Sequence, residues 1–333
     1  MTMLARIAQE LFWVGRDLSR AELTARMLDG VFHADLQGRA DAMRVTLSWE
    51  ALLIVIGAHA AEGDEARGEE ENGARPAGTR ATRDEVVRLL TVDADSPASI
   101  VSCVARARGR ARTVRDVIST EMWEAVNTFN LALVRRDLSA AMRTGPYSIY
   151  SDVKERCALF WGLTDRTMMR DEARSFLVAG GRLESADMVL RMLRAWLPLS
   201  TAAAARAAPD DGEALALLHA VGGLQAYRRA VRAAPRTAAV TRFLLFDRSY
   251  PGSVAASVDG LHHALATADT SPRSAPPVLR LGRMVADLDF RRRAVVDDAA
   301  LGTTLVQVQD ELAAVDRDIA ERYFAGAAPR ATA

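Results

Sequence analysis

Lysine is almost absent from this 333-residue chain: of its 43 basic residues, 42 are arginine and one is lysine, Lys154. Ion pairing must therefore rely on guanidinium groups, which suit bidentate contacts with carboxylates or phosphates. The 43 acidic residues balance the basic ones, so the formal net charge is zero. This balance gives no overall electrostatic attraction to nucleic acid or to an anionic membrane, and we expect neither as a partner.

Cysteine and long apolar runs are also scarce. The two cysteines, Cys103 and Cys157, form no CxxC motif, which argues against a disulfide framework and a thiolate metal site. The longest apolar run, residues 51–61, is too short to span a bilayer. The first turns carry charges, whereas a signal peptide has an uninterrupted apolar region. These absences together predict a cytoplasmic protein.

The common catalytic motifs are missing as well. The five histidines form no HExxH pattern, and the sequence contains no GxSxG, no GxxxxGKS/T and no GxGxxG after a strand. The acidic pairs Asp210-Asp211 and Asp297-Asp298 lack the DDxxD spacing of magnesium-dependent diphosphate enzymes. We therefore expect no metal site, no bound dinucleotide and no ATP hydrolysis by this chain alone.

Strand signals are nearly absent, whereas apolar residues recur every three or four positions along most of the chain. This spacing predicts an all-α fold of roughly ten to twelve helices. Thr82 and Glu85 have capping-box spacing, which predicts that a helix begins there. The polar, glycine-rich segment 61–82 predicts a mobile loop, and the tail 325–333 is expected to be disordered.

Two motifs occur twice in the same order. GRDLSRAELTARML at 15–28 is echoed by GGRLESADMVLRML at 180–193, and DADSPASI at 93–100 is echoed by DRSYPGSV at 247–254. This repetition predicts one large helical domain, 1–324, built from two duplicated halves at about 1–145 and 146–324. In each half the D-x-x-x-P-x-S element is expected to begin a helix, because it supplies turn and N-cap groups. A ligand-binding role for this element is the alternative.

Charged residues fall on the apolar face of the first repeated motif. At about 100° per residue, Glu22 and Arg26 share a stripe with Leu11 and Leu18. Buried charges require partners, and a spacing of four residues allows a pair to meet. Two interpretations remain open: a structural network that joins the duplicated helices, or a polar cavity between them. The expected members are Arg16, Arg20, Glu22, Arg26, Glu184, Asp187 and Arg191.

The segment 105–127 is rich in arginine. The arginines at 106, 108, 110 and 112 alternate along the chain, so on a helix they spread around the circumference instead of forming one basic stripe. No aromatic residues lie between them, which argues against a nucleic-acid interface. The segment is expected to supply further members of the interior network: Arg112, Arg115, Asp116 and Asn127.

The longest motifs carry a family resemblance. LARIAQELFWVGRDLSRAELTARMLD at 4–29 resembles LSRxAExLYWxGRYxERAExTAR, the opening pattern of the bacterial alpha-E domain family. The likeness continues, in the family's order, through the segments 96–127, 160–187 and 226–254. Because these segments cover nearly the whole chain, it is identified as a member of this family.

The resemblance implies an all-helical domain encoded beside, or fused to, a circularly permuted ATP-grasp protein, often with a transglutaminase-like protein nearby. These neighbouring or fused proteins imply amide-bond formation or peptide modification, in which the ATP-grasp partner makes an acyl phosphate that an amine attacks. The expected partners are therefore the ATP-grasp protein and an amino-acid or peptide substrate. ATP and magnesium would be bound by the ATP-grasp partner, and no cofactor by this chain.

The chain departs from the family pattern at several positions. Where the family has Glu-Arg before Ala-Glu, this chain has Ser19-Arg20, and the second copy has Glu184-Ser185. Further departures occur at Gly109, Arg110 and Gly252. These changes predict a divergent member. Its interior is specialised or impaired if the family's interior is catalytic, and repacked if that interior is a scaffold.

The leading hypothesis is a helical subunit that helps an ATP-grasp ligase form an amide bond by binding the acceptor or the activated acyl group. The expected catalytic residues are Glu22, Glu184 and Asp187, and Glu22 or Glu184 is expected to act as the base, especially if burial raises its pKa. The expected substrate-binding residues are Arg16, Arg20, Arg26, Arg112, Arg115, Asp116, Asn127 and Arg191. The alternatives are a noncatalytic helical scaffold that stabilises the ATP-grasp partner and a free-standing acyltransferase.

Overall fold

The computed structural model describes residues 3–36, 49–57, 82–138, 145, 147–196, 211–294 and 298–325. Within these ranges the chain forms thirteen α-helices and no strand, which confirms the all-α prediction. Nearly all of the predicted loop 61–82 and of the predicted disordered tail 325–333 lies outside the described residues. Every helix in the described ranges is too short or too polar to cross a bilayer.

The helices follow one another in two sets. The first set is α1 (Ala5–Leu36), α2 (Trp49–Ile56), α3 (Arg83–Thr91), α4 (Ile100–Thr113), α5 (Thr120–Arg135) and α6 (Tyr147–Thr167). The second set is α7 (Glu172–Trp196), α8 (Asp211–Ala220), α9 (Leu224–Val231), α10 (Thr237–Phe246), α11 (Val254–Ala268), α12 (Pro276–Arg293) and α13 (Asp298–Ile319). A 3₁₀ turn (Pro272–Ser274) precedes α12, and a π-helical turn (Ala320–Phe324) follows α13.

The two sets have the same packing plan around α1 and α7, the long helices that carry the first repeated motif. In the first set α4 and α6 pack on α1, and α5 packs on both of them. In the second set α11 and α13 pack on α7, and α12 packs on both of them. The two sets therefore make paired contacts, and α6, which follows position 145, packs within the first set. The duplication into halves at about 1–145 and 146–324 stays a prediction.

The helices α1 and α7 cross closely because each carries a glycine where the other backbone passes. A Cβ on Gly15 would overlap the carbonyl oxygen of Leu177 and lie 2.8 Å from the amide nitrogen of Gly181. A Cβ on Gly180 would overlap the carbonyl oxygen of Phe12 and lie 2.7 Å from its carbonyl carbon. The crossing therefore depends on two residues without a side chain. Near the crossing, one short helix of each set packs on the long helix of the other set: α2 packs chiefly on α7, and α8 packs on α1.

Side-chain caps determine where several helices begin. Ser99 and Ser253 precede α4 and α11, and each Oγ accepts a hydrogen bond from the amide three residues further on, at 3.1 and 3.0 Å. These caps confirm that the D-x-x-x-P-x-S element begins a helix in each half. Thr82 forms the predicted capping box with Glu85 at the start of α3.

The π-helical turn joins the end of the second set to the crossing. The ring of Phe324 lies 5.3 Å from the ring of Phe12 on α1, centroid to centroid. The hydroxyl of Tyr323 donates a hydrogen bond to Asp269 at 2.7 Å, and Arg322 forms an ion pair with the same carboxylate at 2.5 Å. Asp269 directly follows α11, so these contacts connect that helix, the turn and α1.

Candidate functional site

Four charged side chains lie together beside the crossing of α1 and α7. The carboxylate of Glu184 is fully buried and accepts hydrogen bonds from Nε of Arg20 at 2.5 Å and from Nε of Arg16 at 2.9 Å. Arg16 also forms an ion pair with Asp316 on α13 at 2.9 Å. We call Arg16, Arg20, Glu184 and Asp316 the closed cluster, because these carboxylates and guanidiniums satisfy one another.

The closed cluster keeps Glu184 ionised. Burial alone would raise the pKa of Glu184, but the charges of Arg20 and Arg16 outweigh burial and hold this pKa below its ordinary value. A carboxylate with a lowered pKa and two guanidinium partners is a poor proton acceptor. The lowered pKa therefore argues against Glu184 as a base.

A second buried carboxylate, that of Asp17, lies near the closed cluster. Its Oδ1 accepts a hydrogen bond from Arg106 on α4 at 2.9 Å, and Nε of Arg110 lies 3.3 Å from Oδ2. Burial raises the pKa of Asp17, and the two guanidiniums oppose this shift. This pairing was not predicted from the sequence. The available signal was the four-residue spacing of Arg106 and Arg110, which places both on one face of α4.

A cavity of about 470 Å³ opens between α1, α6, α7 and parts of the segment 221–252. We call it the open cavity. Its charged lining residues are Glu22, Arg26, Asp165, Arg174 and Arg182, three guanidiniums and two carboxylates, so the lining carries one net positive charge. No group of histidine, cysteine, aspartate and glutamate in the described ranges is arranged to hold a metal ion.

Two ion pairs lie in the lining of the open cavity. Arg26 donates to Oε1 of Glu22 from Nε at 2.9 Å, and its Nη2 lies 2.8 Å from the same oxygen. The second oxygen of Glu22, Oε2, has no protein partner among the described residues. Arg174 pairs with Asp165 at 2.5 Å. Glu22 and Arg26 are thus the predicted site residues that line a cavity.

Arg182 lines the same cavity without an ion-pair partner in the part of the chain that the structure describes. Its Nη1 donates a hydrogen bond to the carbonyl oxygen of Pro251 at 3.2 Å. Burial lowers the pKa of Arg182, and the charge of Asp165 opposes this only in part. Arg182 was not predicted as a site residue, because nothing in its spacing distinguishes it from the other arginines.

Asp187 and Arg191 pair with each other instead of meeting the first copy of the motif. Nη2 of Arg191 lies 2.8 Å from Oδ2 of Asp187, whose other oxygen accepts a hydrogen bond from Gln309 at 3.4 Å. Glu22 and Arg26 likewise form their own pair. The two pairs therefore do not form one joint network across the core, because each guanidinium turns to the carboxylate one helical turn away.

The four site residues predicted in the segment 105–127 do not join the interior network. Arg112, Arg115 and Asp116 are exposed. Asn127 is partly buried, and its Oδ1 accepts a hydrogen bond from Arg108 at 2.8 Å. Arg112 lies on the exposed face of α4, and α4 ends at Thr113, so Arg115 and Asp116 no longer follow its helical face. Asn127 lies on α5, where it contacts Arg108 rather than the interior charges.

Comparison with known proteins assigns this arrangement to a family. The Alpha-E family, described as a predicted alpha-helical domain with a conserved ER motif, matches residues 3–324. The chain belongs to the Alpha-E family. Uncharacterized proteins of Mycobacterium bovis and Mycobacterium tuberculosis are each 27% identical to it over 304 residues, which is 86% of this chain and 32% of the relative. The chain thus spans about a third of the length of these relatives. No solved structure shows significant similarity.

The Alpha-E chain divides an Arg and a Glu between its two copies. The resemblance places the Glu-Arg pair at 19–20 and 184–185, where this chain keeps Arg20 in α1 and Glu184 in α7. These two residues form the 2.5 Å pair of the closed cluster. The remaining two positions are Ser19 and Ser185, and both line the open cavity. The two positions at which serine replaces a member of the Glu-Arg pair therefore line the open cavity.

The other departures from the Alpha-E pattern have local explanations. A Cβ on Gly252 would lie 2.6 Å from the hydroxyl oxygen of Tyr250, so the tyrosine in this chain requires glycine there. Arg110 lies near two buried carboxylates, with Glu10 at 3.4 Å and Asp17 at 3.3 Å. Gly109 has open space where a Cβ would be. Of these positions only Gly252 lines the open cavity.

Proposed function

We propose that this Alpha-E protein acts with an ATP-grasp ligase in ATP-dependent amide-bond formation or peptide modification, and that the open cavity binds the acceptor or the activated acyl group. The observation that supports this proposal is Glu22. Its Oε1 is held by Arg26, while its Oε2 has no protein partner among the described residues. A positioned carboxylate oxygen can orient an amine and accept its proton. The cavity's guanidiniums are suited to carboxylate or phosphoryl oxygens.

The proposal divides the reaction between two proteins. ATP and Mg²⁺ would be held by the ATP-grasp partner, while this chain binds, orients and shields the amine or acyl group. The mycobacterial relatives have about two thirds of their length outside the matched region, which leaves room for a fused partner. A cytoplasmic location, where ATP is available, is part of the proposal.

The test begins with affinity capture of the tagged chain from its native cells, followed by measurement of ADP release by the recovered complex. We expect an ATP-grasp protein in the complex and ADP release that depends on this chain. Glu22→Gln should abolish ADP release that is coupled to the acceptor while leaving the complex intact. Glu124→Gln, at an exposed position on α5, is the matched control and should retain full activity. Recovery of a monodisperse monomer without such a partner would refute the proposal.

A noncatalytic scaffold is the second candidate function. The closed cluster favours it, because Glu184 is fully buried with two arginine partners and contributes to holding α1 against α7. A scaffold predicts that activity follows the amount of complex formed. Glu22→Gln would then leave ADP release unchanged per complex, whereas Glu184→Gln would reduce both stability and complex formation.

A further inference from the structure

The repeat gives two equivalent sites beside the crossing of α1 and α7, and different side chains occupy them. Under the repeat, Glu184 corresponds to Ser19 and Arg20 corresponds to Ser185. One position contains the buried ion pair of Arg20 and Glu184. The other contains two serines that line the open cavity. The space left by a missing ion pair is therefore part of the cavity.

A second missing pair explains why Arg182 has no counter-ion. Asp17 on α1 corresponds to Arg182 on α7, and Arg106 corresponds to Gly260, since each is the seventh residue after its N-cap serine. In the first half Asp17 pairs with Arg106 at 2.9 Å. In the second half Nε, Cδ and Cγ of Arg182 lie 3.1, 3.3 and 3.5 Å from where a Cβ of Gly260 would be. Gly260 carries no charge that could compensate Arg182.

The first half also shows what such a guanidinium binds when its partner is present. Arg106 donates one hydrogen bond to the carbonyl oxygen of Pro97 at 2.8 Å and two to the Asp17 carboxylate. Arg182 donates to the equivalent carbonyl oxygen, that of Pro251, at 3.2 Å. The carbonyl contact is thus present in both halves, and the oxyanion contact is present in the first half only.

We propose that Arg182 binds an oxyanionic group of a small ligand, a carboxylate or a phosphoryl group, which supplies the counter-charge that the Asp17 carboxylate supplies to Arg106. The ligand body occupies the space that Ser19, Ser185 and Trp161 line. Its negative charge neutralises the net positive charge of the lining. One equivalent position thus joins the helices, and the other binds the ligand. This inference deepens the proposed function and rests on it for the use of the site.

The test is isothermal titration calorimetry on the full chain with three probes: L-alanyl-L-alanine, its C-terminal amide and inorganic phosphate. Binding of the dipeptide but not of its amide would identify a carboxylate ligand, and binding of phosphate alone would identify a phosphoryl ligand. In either case Arg182→Gln should weaken binding at least tenfold. Arg166→Gln, at an exposed position on α6, should leave binding unchanged. Absence of binding by all three probes, or equal binding of the dipeptide and its amide without phosphate binding, would overturn the proposal.

Two further variants separate ligand binding from a structural role. Ser19→Glu with Ser185→Arg reproduces the pair of Arg20 and Glu184 on the open side, so the protein should stay folded and lose binding. Arg182→Gln should leave the unfolding midpoint unchanged or raise it, because no protein carboxylate depends on Arg182. A fall in the midpoint as large as that of Arg20→Gln would assign Arg182 a structural role and overturn the proposal. These measurements need no ligase. If the probes bind but affinity capture recovers no ATP-grasp partner, only the proposed function is refuted and the ligand site stands.

Discussion

Gly15 and Gly180 make reciprocal contacts across the centre of the protein. A Cβ on Gly15 would overlap the carbonyl oxygen of Leu177, which lies three residues before Gly180. A Cβ on Gly180 would overlap the carbonyl oxygen of Phe12, which lies three residues before Gly15. Equivalent residues of the repeat thus exchange equivalent contacts, as a two-fold axis between α1 and α7 requires.

Alanine at either glycine should separate the two long helices. Because the obstacle is backbone rather than a movable side chain, we expect Gly15→Ala and Gly180→Ala each to lower the free energy of unfolding by about 3 kcal/mol, the upper end of the usual cost of overpacking. Urea unfolding followed by circular dichroism measures this. The control is Gly162→Ala on α6, where a Cβ meets nothing within 4 Å. That variant should gain roughly 0.5–1 kcal/mol, because alanine is the better helix former.

Removal of one partner from the closed cluster should be costly. Glu184→Gln leaves Arg20 buried without a carboxylate, and loss of one member of a buried ion pair typically costs about 3–5 kcal/mol. The same urea unfolding experiment tests this. Arg293→Gln is the comparison: its partner is Asp289 and its side chain is 72% exposed. It should cost at most about 1 kcal/mol. Equal effects of the two substitutions would contradict the role of the closed cluster.

The serine caps should contribute measurably to stability in both halves. Ser99→Ala and Ser253→Ala each remove the hydroxyl that accepts the first free amides of α4 and α11. The expected loss is about 0.5–2 kcal/mol each. Glycine at the same positions should cost only a few tenths of a kcal/mol by the same principle. Differential scanning calorimetry of the four variants tests this order, and alanine variants as stable as the parent chain would refute it.

Asp269 makes the free energy of unfolding depend on pH in the acidic range. Hydrogen bonds from Arg322, and further ones from Tyr323 and from the amide of Ser271, hold the pKa of Asp269 well below its ordinary value, although burial opposes them. Such a carboxylate stabilises the fold above the pKa of the unfolded chain, about 4. The stabilisation is lost as the pH falls through the lower pKa of the folded state. We therefore expect the free energy of unfolding to decrease below about pH 4.

Asp269→Asn provides the check on this pH dependence. The variant should be less stable than the parent chain at pH 7, because it lacks the ion pair with Arg322. It should also lose less stability between pH 5 and pH 3, because it has no carboxylate to protonate at position 269. Urea unfolding at these three pH values gives both quantities. Identical slopes for the two proteins would show that other carboxylates determine the acid response.

The features that the sequence predicted correctly are local ones. The caps at Thr82, Ser99 and Ser253 follow from residue types at fixed spacing, and so do the pairs four residues apart on α1 and α7. Contacts between helices were missed or misplaced, because they depend on how each helix is rotated about its axis. Asp17 and Arg106 meet across 89 positions of the chain, and no periodic pattern within one helix contains that information.

The open cavity also could not be predicted from the sequence. The repeat and the serines at 19 and 185 were visible in the sequence, but an absent ion pair does not reveal whether its space has been filled or left empty. Arg182 was not singled out for a related reason. Its distinguishing property is the lack of a carboxylate opposite it, which follows from Gly260 on another helix.

The exchange of α2 and α8 between the two long helices has a consequence for the origin of the molecule. A half-length ancestor carrying one copy would have had to associate with a second identical chain to cover its long helix. In such a homodimer the two sides of the crossing are identical by symmetry, so a change that opens one side opens both. A single chain that carries both copies does not have that constraint. It can keep the pair of Arg20 and Glu184 on one side of the crossing and two serines on the other.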